Sequence, residues 1–166
     1  MPIHPIHTRG LGALRAKKPR WSGRQTDVCD SPADQDSILS AAEVPNLCAV
    51  GGRLFGKVAS ELIAVGGTHC LAVCIDTGSG TGCRVEHSAI AAMVTAGEFR
   101  IKKIVAVWRD EEGRLYVLPP CARCREFIRQ MNPTNIDTKV VIDLDHCALL
   151  HGLLPAHQWP LALDSS

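Results

Sequence analysis

Apolar residues follow two patterns along the chain, β-rich runs and helical spacing, and these divide it into predicted strands and helices. Segments 58–65 and 70–76 are rich in β-branched residues and are separated by two glycines and a threonine, which predicts a β-hairpin. Apolar residues recur at helical spacing over 84–97, where Gly97 is a suitable helix stop. The pattern therefore predicts a hairpin that is followed, after a glycine-rich loop at 77–82, by an amphipathic helix.

The second half of the chain continues this alternation. An apolar run at 104–108 is typical of a central strand that is buried on both faces, and a further strand at 115–118 follows an acidic turn. A helix is predicted over 121–131, a buried strand over 139–144 and a short helix near 146–153. Strands that alternate with helices predict an α/β fold, a three-layer α/β/α sandwich around a mixed central sheet.

The N-terminal part of the chain differs from the rest in composition. Residues 1–24 contain six basic side chains and no acidic one, and three prolines interrupt any long helix. This predicts a basic, flexible arm over 1–35, with a transit peptide or a tail that contacts an acidic partner as the functional alternatives. The folded domain is expected over 36–166 and begins with a short helix that is capped by Asp36 or Ser37.

Composition limits the kind of partner. The 166 residues are 46% apolar, which is enough for one buried core, and 18 basic side chains nearly balance 17 acidic ones. Neither this balance nor any basic stripe interleaved with aromatic residues favours a nucleic acid as partner. No apolar run is long enough to cross a bilayer and no secretory signal is recognisable, so we expect a cytoplasmic protein without a membrane partner. Eight cysteines in a reducing compartment are more often ligands, nucleophiles or buried thiols than disulfides.

Two of the cysteines, Cys121 and Cys124, stand three residues apart where the second long helix is predicted to begin. Cysteines at this spacing lie on the same side of a helix, and the positive end of the helix dipole favours the thiolate form that binds zinc. A redox pair or two buried thiols are the alternatives for a lone C-x-x-C motif. Upstream, Glu86 stands near the start of the other long helix, shortly after Cys83. Two helix N-termini are thus predicted to carry cysteines and a carboxylate.

The sequence GCRVEHSAI at 82–90, followed by PCARCR at 120–125, resembles the motif pair of the zinc-dependent cytidine deaminases, nearest their blasticidin-S-deaminase-like branch. The similarity extends over roughly residues 55–159 and includes LLPAHQW at its end. It implies the cytidine-deaminase-like fold, a homotetramer, and hydrolytic deamination of cytidine, deoxycytidine or a related C4-aminopyrimidine nucleoside such as blasticidin S. In this interpretation Glu86 is the catalytic residue, which takes a proton from water, protonates ring N3 and then delivers a further proton to the departing ammonia.

One position departs from the motif of that family. The family places its upstream zinc ligand two residues before the glutamate, where this chain has Arg84, which has no lone pair to offer a metal. Cys83 is the candidate third ligand beside Cys121 and Cys124, provided that the glycine-rich loop shifts by one residue. The alternatives are zinc that is held by the two downstream thiolates with His87 or waters, or a metal-free site. A metal-free site would make the chain a catalytically inactive deaminase-fold protein that binds a nucleoside or a protein partner.

The resemblance also suggests residues around the zinc and the substrate. His87 and Arg125 occupy positions from which hydrogen-bond donors would offset the negative charge of the thiolates. Asp76 stands near the position from which the family holds the ribose, and its carboxylate could accept a bond from a ribose hydroxyl. The family also holds the ribose with an asparagine, and the nearest position in this chain is Cys74. A thiol cannot make the paired hydrogen bonds of an asparagine amide. The candidate aromatic walls for the base are Phe55 and Trp159, with a core or interface role as the alternative for each.

Overall fold

The computed structural model describes residues 27–28, 32–44, 48–51, 53–110 and 112–158. The helices in these ranges are α1 (Pro32–Glu43), α2 (Val85–Thr95), α3 (Ala122–Met131) and α4 (Leu150–Leu153), with a 3-10 helix at Pro133–Asp137. The strands are β1 (Asp27–Val28), β2 (Cys48–Val50), β3 (Arg53–Phe55), β4 (Val58–Ala64), β5 (His69–Val73), β6 (Ile101–Arg109), β7 (Leu115–Val117), β8 (Lys139–Val141) and β9 (His146–Leu149). Strand β1 and the first turn of α1 fall within the segment expected to be an arm, whereas its first 26 residues and Trp159 lie outside the described residues.

Seven of the described strands form one mixed sheet. Its order is β1-β9-β8-β6-β4-β5, and β7 pairs with the end of β6. Strands β6 and β8 run parallel, whereas the other pairs are antiparallel. The hairpin prediction is confirmed, because β4 pairs with β5 from Ala59 opposite Val73 to Ile63 opposite His69. Strands β2 and β3, which the sequence pattern does not predict, pair with each other in a separate two-stranded sheet.

Helices cover both faces of the large sheet, so the predicted three-layer α/β/α sandwich is confirmed. On one face, α1 packs Ile38 and Ala41 against residues of β4 and β6 that include Val105. On the opposite face, α2 and α3 pack Ile90 and Ile128 against the sheet. We refer to these as the α1 face and the α2–α3 face. No helix in the described ranges is long and apolar enough to cross a membrane.

Helix α2 ends where the sequence predicts. Gly97 has a φ of 78°, and its N–H donates to the carbonyl oxygen of Val94 over 2.9 Å. The N–H of Glu98 donates to the carbonyl oxygen of Met93 over 3.1 Å. This pair of bonds closes the last turn of the helix and requires a left-handed residue, a conformation that glycine adopts without strain.

Two predicted segments differ from the structure. Helix α1 begins at Pro32, four residues before the first expected cap, because a proline in the first turn loses no helical hydrogen bond. The segment 146–149, which is predicted to be helical, is strand β9, and helix is confined to the following four residues. Asp143 accepts the N–H of Asp145 over 2.7 Å, and this turn reverses the chain so that β9 pairs with β8.

Candidate active site

The N-terminal ends of α2 and α3 bring three of the predicted site residues together. Glu86 lies in the first turn of α2, Cys121 is the residue immediately before α3, and Cys124 lies in the first turn of α3. The Cys124 thiol donates to Glu86 Oε2 over 3.4 Å, and the sulfurs of Cys121 and Cys124 are 3.2 Å apart. The structure therefore places a carboxylate directly beside the thiol pair.

Burial gives the members of this group different properties. Cys124 is fully buried and Glu86 is 7% exposed, whereas Cys121 is exposed. Burial raises the pKa of the Cys124 thiol, and the negative charge of Glu86 raises it further. Such a thiol stays protonated near neutral pH unless a cation compensates the negative charge of the thiolate. The group is thus suited to a cation with an affinity for sulfur, and zinc is such a cation.

Cys83 is fixed by its backbone to the end of the hairpin. Its N–H donates to the carbonyl oxygen of Ile75 over 2.8 Å, and its own carbonyl accepts the N–H of Ile75 over 3.0 Å. Its thiol donates to the carbonyl oxygen of Arg84 over 3.6 Å, and its sulfur accepts a bond from Ser88 Oγ over 3.5 Å. These contacts hold Cys83 within its own loop and the first turn of α2.

The site provides some, but not all, of the ligands that a zinc ion requires. Two sulfurs are present, but no group of three or more His, Cys, Asp or Glu side chains has the geometry to hold a metal in the part of the chain that the structure describes. Arg84, at the family's position for the third ligand, is exposed and has extended backbone immediately before α2. Cys83 as the third ligand stays a prediction.

The glycine-rich loop before Cys83 is closed by its own hydrogen bonds. Thr81 Oγ1 donates to the carbonyl oxygen of Gly78 over 2.8 Å and lies 2.8 Å from Thr77 Oγ1. A Cβ at Gly82 would lie 2.8 Å from the carbonyl oxygen of Ile75, which is backbone and cannot move aside cheaply. Gly82 therefore permits the close approach that sets the position at which α2 begins.

His87 lies beside Glu86 in α2 but contacts α3. Its ring is half-buried, and its centroid is 4.4 Å from that of Phe127, an exposed aromatic that sequence reasoning missed. Burial lowers the pKa of His87, and the positive charge of Arg123 lowers it further, so the ring is neutral at pH 7. Its Nε2 is buried and has no hydrogen-bond partner among the residues described. The only signal for Phe127 in the sequence is a large aromatic residue within a mostly polar helix.

Arg125 supports the turn that precedes the thiol pair. Its Nε donates to the carbonyl oxygen of Pro120 over 2.8 Å, and Nη1 donates to the carbonyl oxygen of Leu153 over 2.9 Å. The guanidinium therefore fixes the residue before Cys121 against the end of α4. Its predicted effect on the thiolates through hydrogen bonds to sulfur stays a prediction.

Asp76 lies beyond the end of β5 and is exposed. Its Oδ2 accepts a bond from the thiol of Cys74 over 3.3 Å, and burial raises the pKa of that thiol. Phe55, at the end of β3, is half-buried. The Asp76 carboxylate is thus positioned by a neighbouring thiol and is open to solvent.

Comparison with known proteins supports the fold. No family model and no curated protein sequence matches the chain. A cytidine deaminase from Burkholderia pseudomallei superposes with a TM-score of 0.56 at 20% identity over 74% of this chain and 96% of that one. A cytidine deaminase from Mycobacterium leprae gives 0.55 at 20% identity over 76% and 99%. A third, from Mycobacterium tuberculosis, gives 0.55 at 18% identity over 76% and 97%. The chain therefore has the cytidine-deaminase-like fold.

Proposed function

We propose that the chain is a hydrolase that removes the C4 amino group of a pyrimidine nucleoside and releases it as ammonia. The observation that carries this proposal is the contact of 3.4 Å between Glu86 Oε2 and the buried Cys124 thiol, where two helix N-termini meet. A carboxylate beside two thiols is part of the residue set of zinc-dependent nucleobase deaminases, which have a third zinc ligand as well. The fold that the chain shares with cytidine deaminases supports the same interpretation.

Zinc is the proposed cofactor. Cys121 and Cys124 would hold it, and Cys83 is the proposed third ligand, since it lies on the loop that enters the same helix as Glu86. Zinc held by these residues would make a water available as the nucleophile near neutral pH. Binding by Cys83 would require its thiol to give up its contacts with the carbonyl oxygen of Arg84 and the hydroxyl of Ser88.

Glu86 performs the proton transfers in this proposal. Its carboxylate is almost completely buried, which excludes competing solvent. Its Oε2 lies within hydrogen-bond distance of the Cys124 thiol. The carboxylate accepts a proton from the attacking water and delivers it to ring N3. It then takes the proton of the hydroxyl that the attack forms at C4 and delivers it to the amino group, which leaves as ammonia when the C4 carbonyl forms. A single carboxylate suffices because it returns to its ionised form after each delivery.

The substrate proposed is cytidine, deoxycytidine or a larger C4-aminopyrimidine nucleoside such as blasticidin S. The exposed carboxylate of Asp76 is the proposed acceptor for a ribose hydroxyl, and Phe55 is a proposed wall for the base. Cys74 is buried and bonded to Asp76, so it offers no amide to read a nucleoside. Because Cys74 offers no amide to bind the ribose of cytidine, larger nucleosides are included among the substrates to be tested.

A cytoplasmic homo-oligomer, with a tetramer as the expected size, completes the proposal. Large apolar side chains are exposed on several described elements, and the rings of Trp108 and Tyr116 stack at 5.0 Å on the exposed side of β6 and β7. Such surfaces are typical of contacts between subunits.

The experiment measures zinc per subunit and ammonia release from cytidine, deoxycytidine and blasticidin S. Wild-type protein is expected to hold about one zinc. Glu86→Gln is expected to lose activity by about 100-fold or more while keeping its zinc. Glu126→Gln, the same substitution on α3 at a carboxylate paired with Arg129, is the matched control and should leave both measurements unchanged. Cys83→Ser should lose the zinc. Zinc-free wild-type protein that is inert toward all three nucleosides would overturn the proposal.

A second candidate function, a catalytically inactive protein that binds a nucleoside or a protein partner, is favoured by Arg84 at the family's ligand position and by the contacts of the Cys83 thiol with its own loop and Ser88. Arg84→Cys separates the two candidates, because it places a thiol two residues before Glu86. An inactive wild type whose Arg84→Cys variant gains zinc or ammonia release would identify a disabled site. An active wild type that Arg84→Cys does not improve would contradict this second candidate.

A further inference from the structure

The thiol pair of Cys121 and Cys124 has a second kind of chemistry open to it, which does not depend on a bound metal. Both cysteines are free, and their sulfurs are 3.2 Å apart. Cys121 is exposed, so a small oxidant in the solvent can reach its sulfur directly, whereas Cys124 is fully buried. An exposed thiol with a second thiol in contact is the arrangement in which oxidation ends in a disulfide rather than in a more highly oxidised sulfur.

The hydrogen bonds of the pair orient the buried sulfur. The Cys124 thiol donates to Glu86 Oε2 over 3.4 Å, and the Cys124 sulfur accepts a bond from the Cys121 thiol. A lone pair of Cys124 therefore faces Cys121, while its proton faces a carboxylate that can accept it. Cys124 is thus placed to attack the sulfur of Cys121 once that sulfur has been oxidised.

Other described cysteines lie in different surroundings. Cys70 and Cys74 are buried, which keeps an aqueous oxidant away from them. Cys83 is half-buried and contacts the hydroxyl of Ser88, which cannot form a disulfide. Cys48 is exposed but lies in the separate sheet of β2 and β3. Cys121 combines exposure with a contact to a second sulfur, so it is the expected point of attack.

We propose that Cys121 and Cys124 form a site of reversible oxidation, at which hydrogen peroxide converts the two thiols into a disulfide. The oxygen–oxygen bond of the peroxide breaks as an S–O bond forms at Cys121, which leaves a sulfenic acid there and releases water. Cys124 then attacks that sulfur, and the S–S bond forms as the S–O bond breaks. The hydroxyl leaves with the Cys124 proton as a second water. The two sulfurs lose two electrons, which the peroxide accepts, and a dithiol reductant returns both thiols.

The disulfide alters the candidate active site, a consequence that rests on the proposed function. Both sulfurs that would hold zinc are consumed, so the oxidised chain has no thiolate pair for the metal. Glu86 also loses the thiol proton that it accepts from Cys124. Oxidation therefore stops the proposed activity, and reduction restores it.

Peptide mapping of the full chain tests the disulfide without a measurement of activity. Metal-free protein, freed of reductant, is treated with equimolar hydrogen peroxide, and the remaining thiols are alkylated. Trypsin cleaves after Arg114, Arg123 and Arg125, so the two cysteines fall on separate peptides, 115–123 and 124–125. A disulfide joins these peptides in a non-reducing digest. We expect the joined peptide in most molecules, and dithiothreitol should separate it.

Three variants identify the residues involved. Cys124→Ser removes the attacking sulfur, so Cys121 should remain a sulfenic acid and react with dimedone at least about tenfold more than in the wild type. Cys121→Ser changes an exposed side chain, which keeps the fold, and no disulfide should form at Cys124. Cys48→Ser removes another exposed thiol and is the matched control, which should leave the yield of joined peptide unchanged.

The outcomes separate this proposal from the proposed function. Absence of the joined peptide from the peroxide-treated wild type, or equal dimedone labelling of the wild type and Cys124→Ser, would overturn the disulfide. Zinc added before the peroxide is expected to lower the yield of joined peptide about tenfold or more, because thiolates bound to a metal are withheld from the oxidant. A joined peptide that forms equally well with zinc present would support the disulfide and contradict the zinc site.

Discussion

Asn135→Ala tests how α3, which carries Cys124, is attached to the sheet. Asn135 is 1% exposed, and its amide makes three hydrogen bonds to backbone groups. Its Oδ1 accepts the N–H of Ile101 over 2.8 Å, and its Nδ2 donates to the carbonyl oxygens of Phe99 and Ile128, each over 3.1 Å. These bonds join the start of β6 to the middle of α3. The alanine variant leaves all three backbone groups without this partner.

The expected loss follows from the number of bonds. At about 1 kcal/mol net for each hydrogen bond, Asn135→Ala should lower the free energy of unfolding by about 3 kcal/mol. For a chain of this size that corresponds to a fall in melting temperature of roughly 6 to 12 °C. Urea denaturation followed by circular dichroism measures the free energy, and differential scanning calorimetry measures the melting temperature.

Asn132→Ala is the matched control for this prediction. Asn132 Oδ1 accepts the N–H of Thr134 over 3.0 Å and its hydroxyl over 2.8 Å, but these bonds are exposed to solvent. Loss of a cap of this kind costs about 1 kcal/mol. If Asn135→Ala destabilised the protein no more than Asn132→Ala, the argument that the buried amide fixes α3 to the sheet would be refuted.

Three further predictions concern the pH dependence, the site and its loop. Asp34→Asn should lower the free energy of unfolding by about 3 kcal/mol at pH 7 and by progressively less below about pH 4. Burial acts to raise the pKa of Asp34, but the buried Lys103 and a second lysine outweigh it and hold that pKa below its usual range, so the stabilisation exists at neutral pH and is lost on acidification. Phe127→Ala should raise the pKa of His87 in an NMR titration, because burial is the main cause of its lowered value. Gly82→Ala should lower the free energy of unfolding by about 1 to 3 kcal/mol, because its Cβ would meet backbone at 2.8 Å.

Each of these variants has a control of the same chemistry. Asp36→Asn removes an exposed carboxylate from the same helix and should show no comparable pH dependence. Tyr116→Ala removes an exposed aromatic that stacks on Trp108, and the pKa of His87 should not move. Gly78→Ala lies in the same loop as Gly82, but its Cβ would meet only the end of the Arg53 side chain at 3.4 Å, so it should change stability little. If a control variant changed the measured quantity as much as its test variant does, the corresponding argument would be contradicted.

The elements that the sequence predicts well are those whose hydrophobic period and end signals agree. Helix α2 is of this kind, since its buried stripe stops at Gly97, and β6 is another, since its continuous apolar run predicts a strand that is buried on both faces. Strand β9 was mispredicted because a four-residue strand followed at once by a helical turn has no period of its own. Whether this segment forms a strand depends on the turn at Asp143 and on pairing with β8, which are features of the tertiary structure.

The convergence of Glu86, Cys121 and Cys124 was predictable because each stands at a helix start, and helix starts in an α/β sandwich meet at one edge of the sheet. The buried Glu61 of β4 was not predicted, although a lone carboxylate in an otherwise apolar strand is a visible signal. What the sequence could not supply is its partner, because His69 reaches it only through the register of the hairpin.

The position of Cys83 shows why a motif that is one residue out of register is hard to interpret from sequence alone. The motif counts residues along the chain, whereas the metal requires a direction of the side chain in space. Two backbone hydrogen bonds to Ile75 fix the register at Cys83, and its thiol contacts the carbonyl oxygen of Arg84 and the hydroxyl of Ser88 rather than the thiol pair. A thiol at position 83 can therefore join the thiol pair only by giving up these contacts. If the site holds zinc as proposed, the free energy of these contacts, set against that of a third zinc–sulfur bond, determines whether Cys83 becomes a ligand.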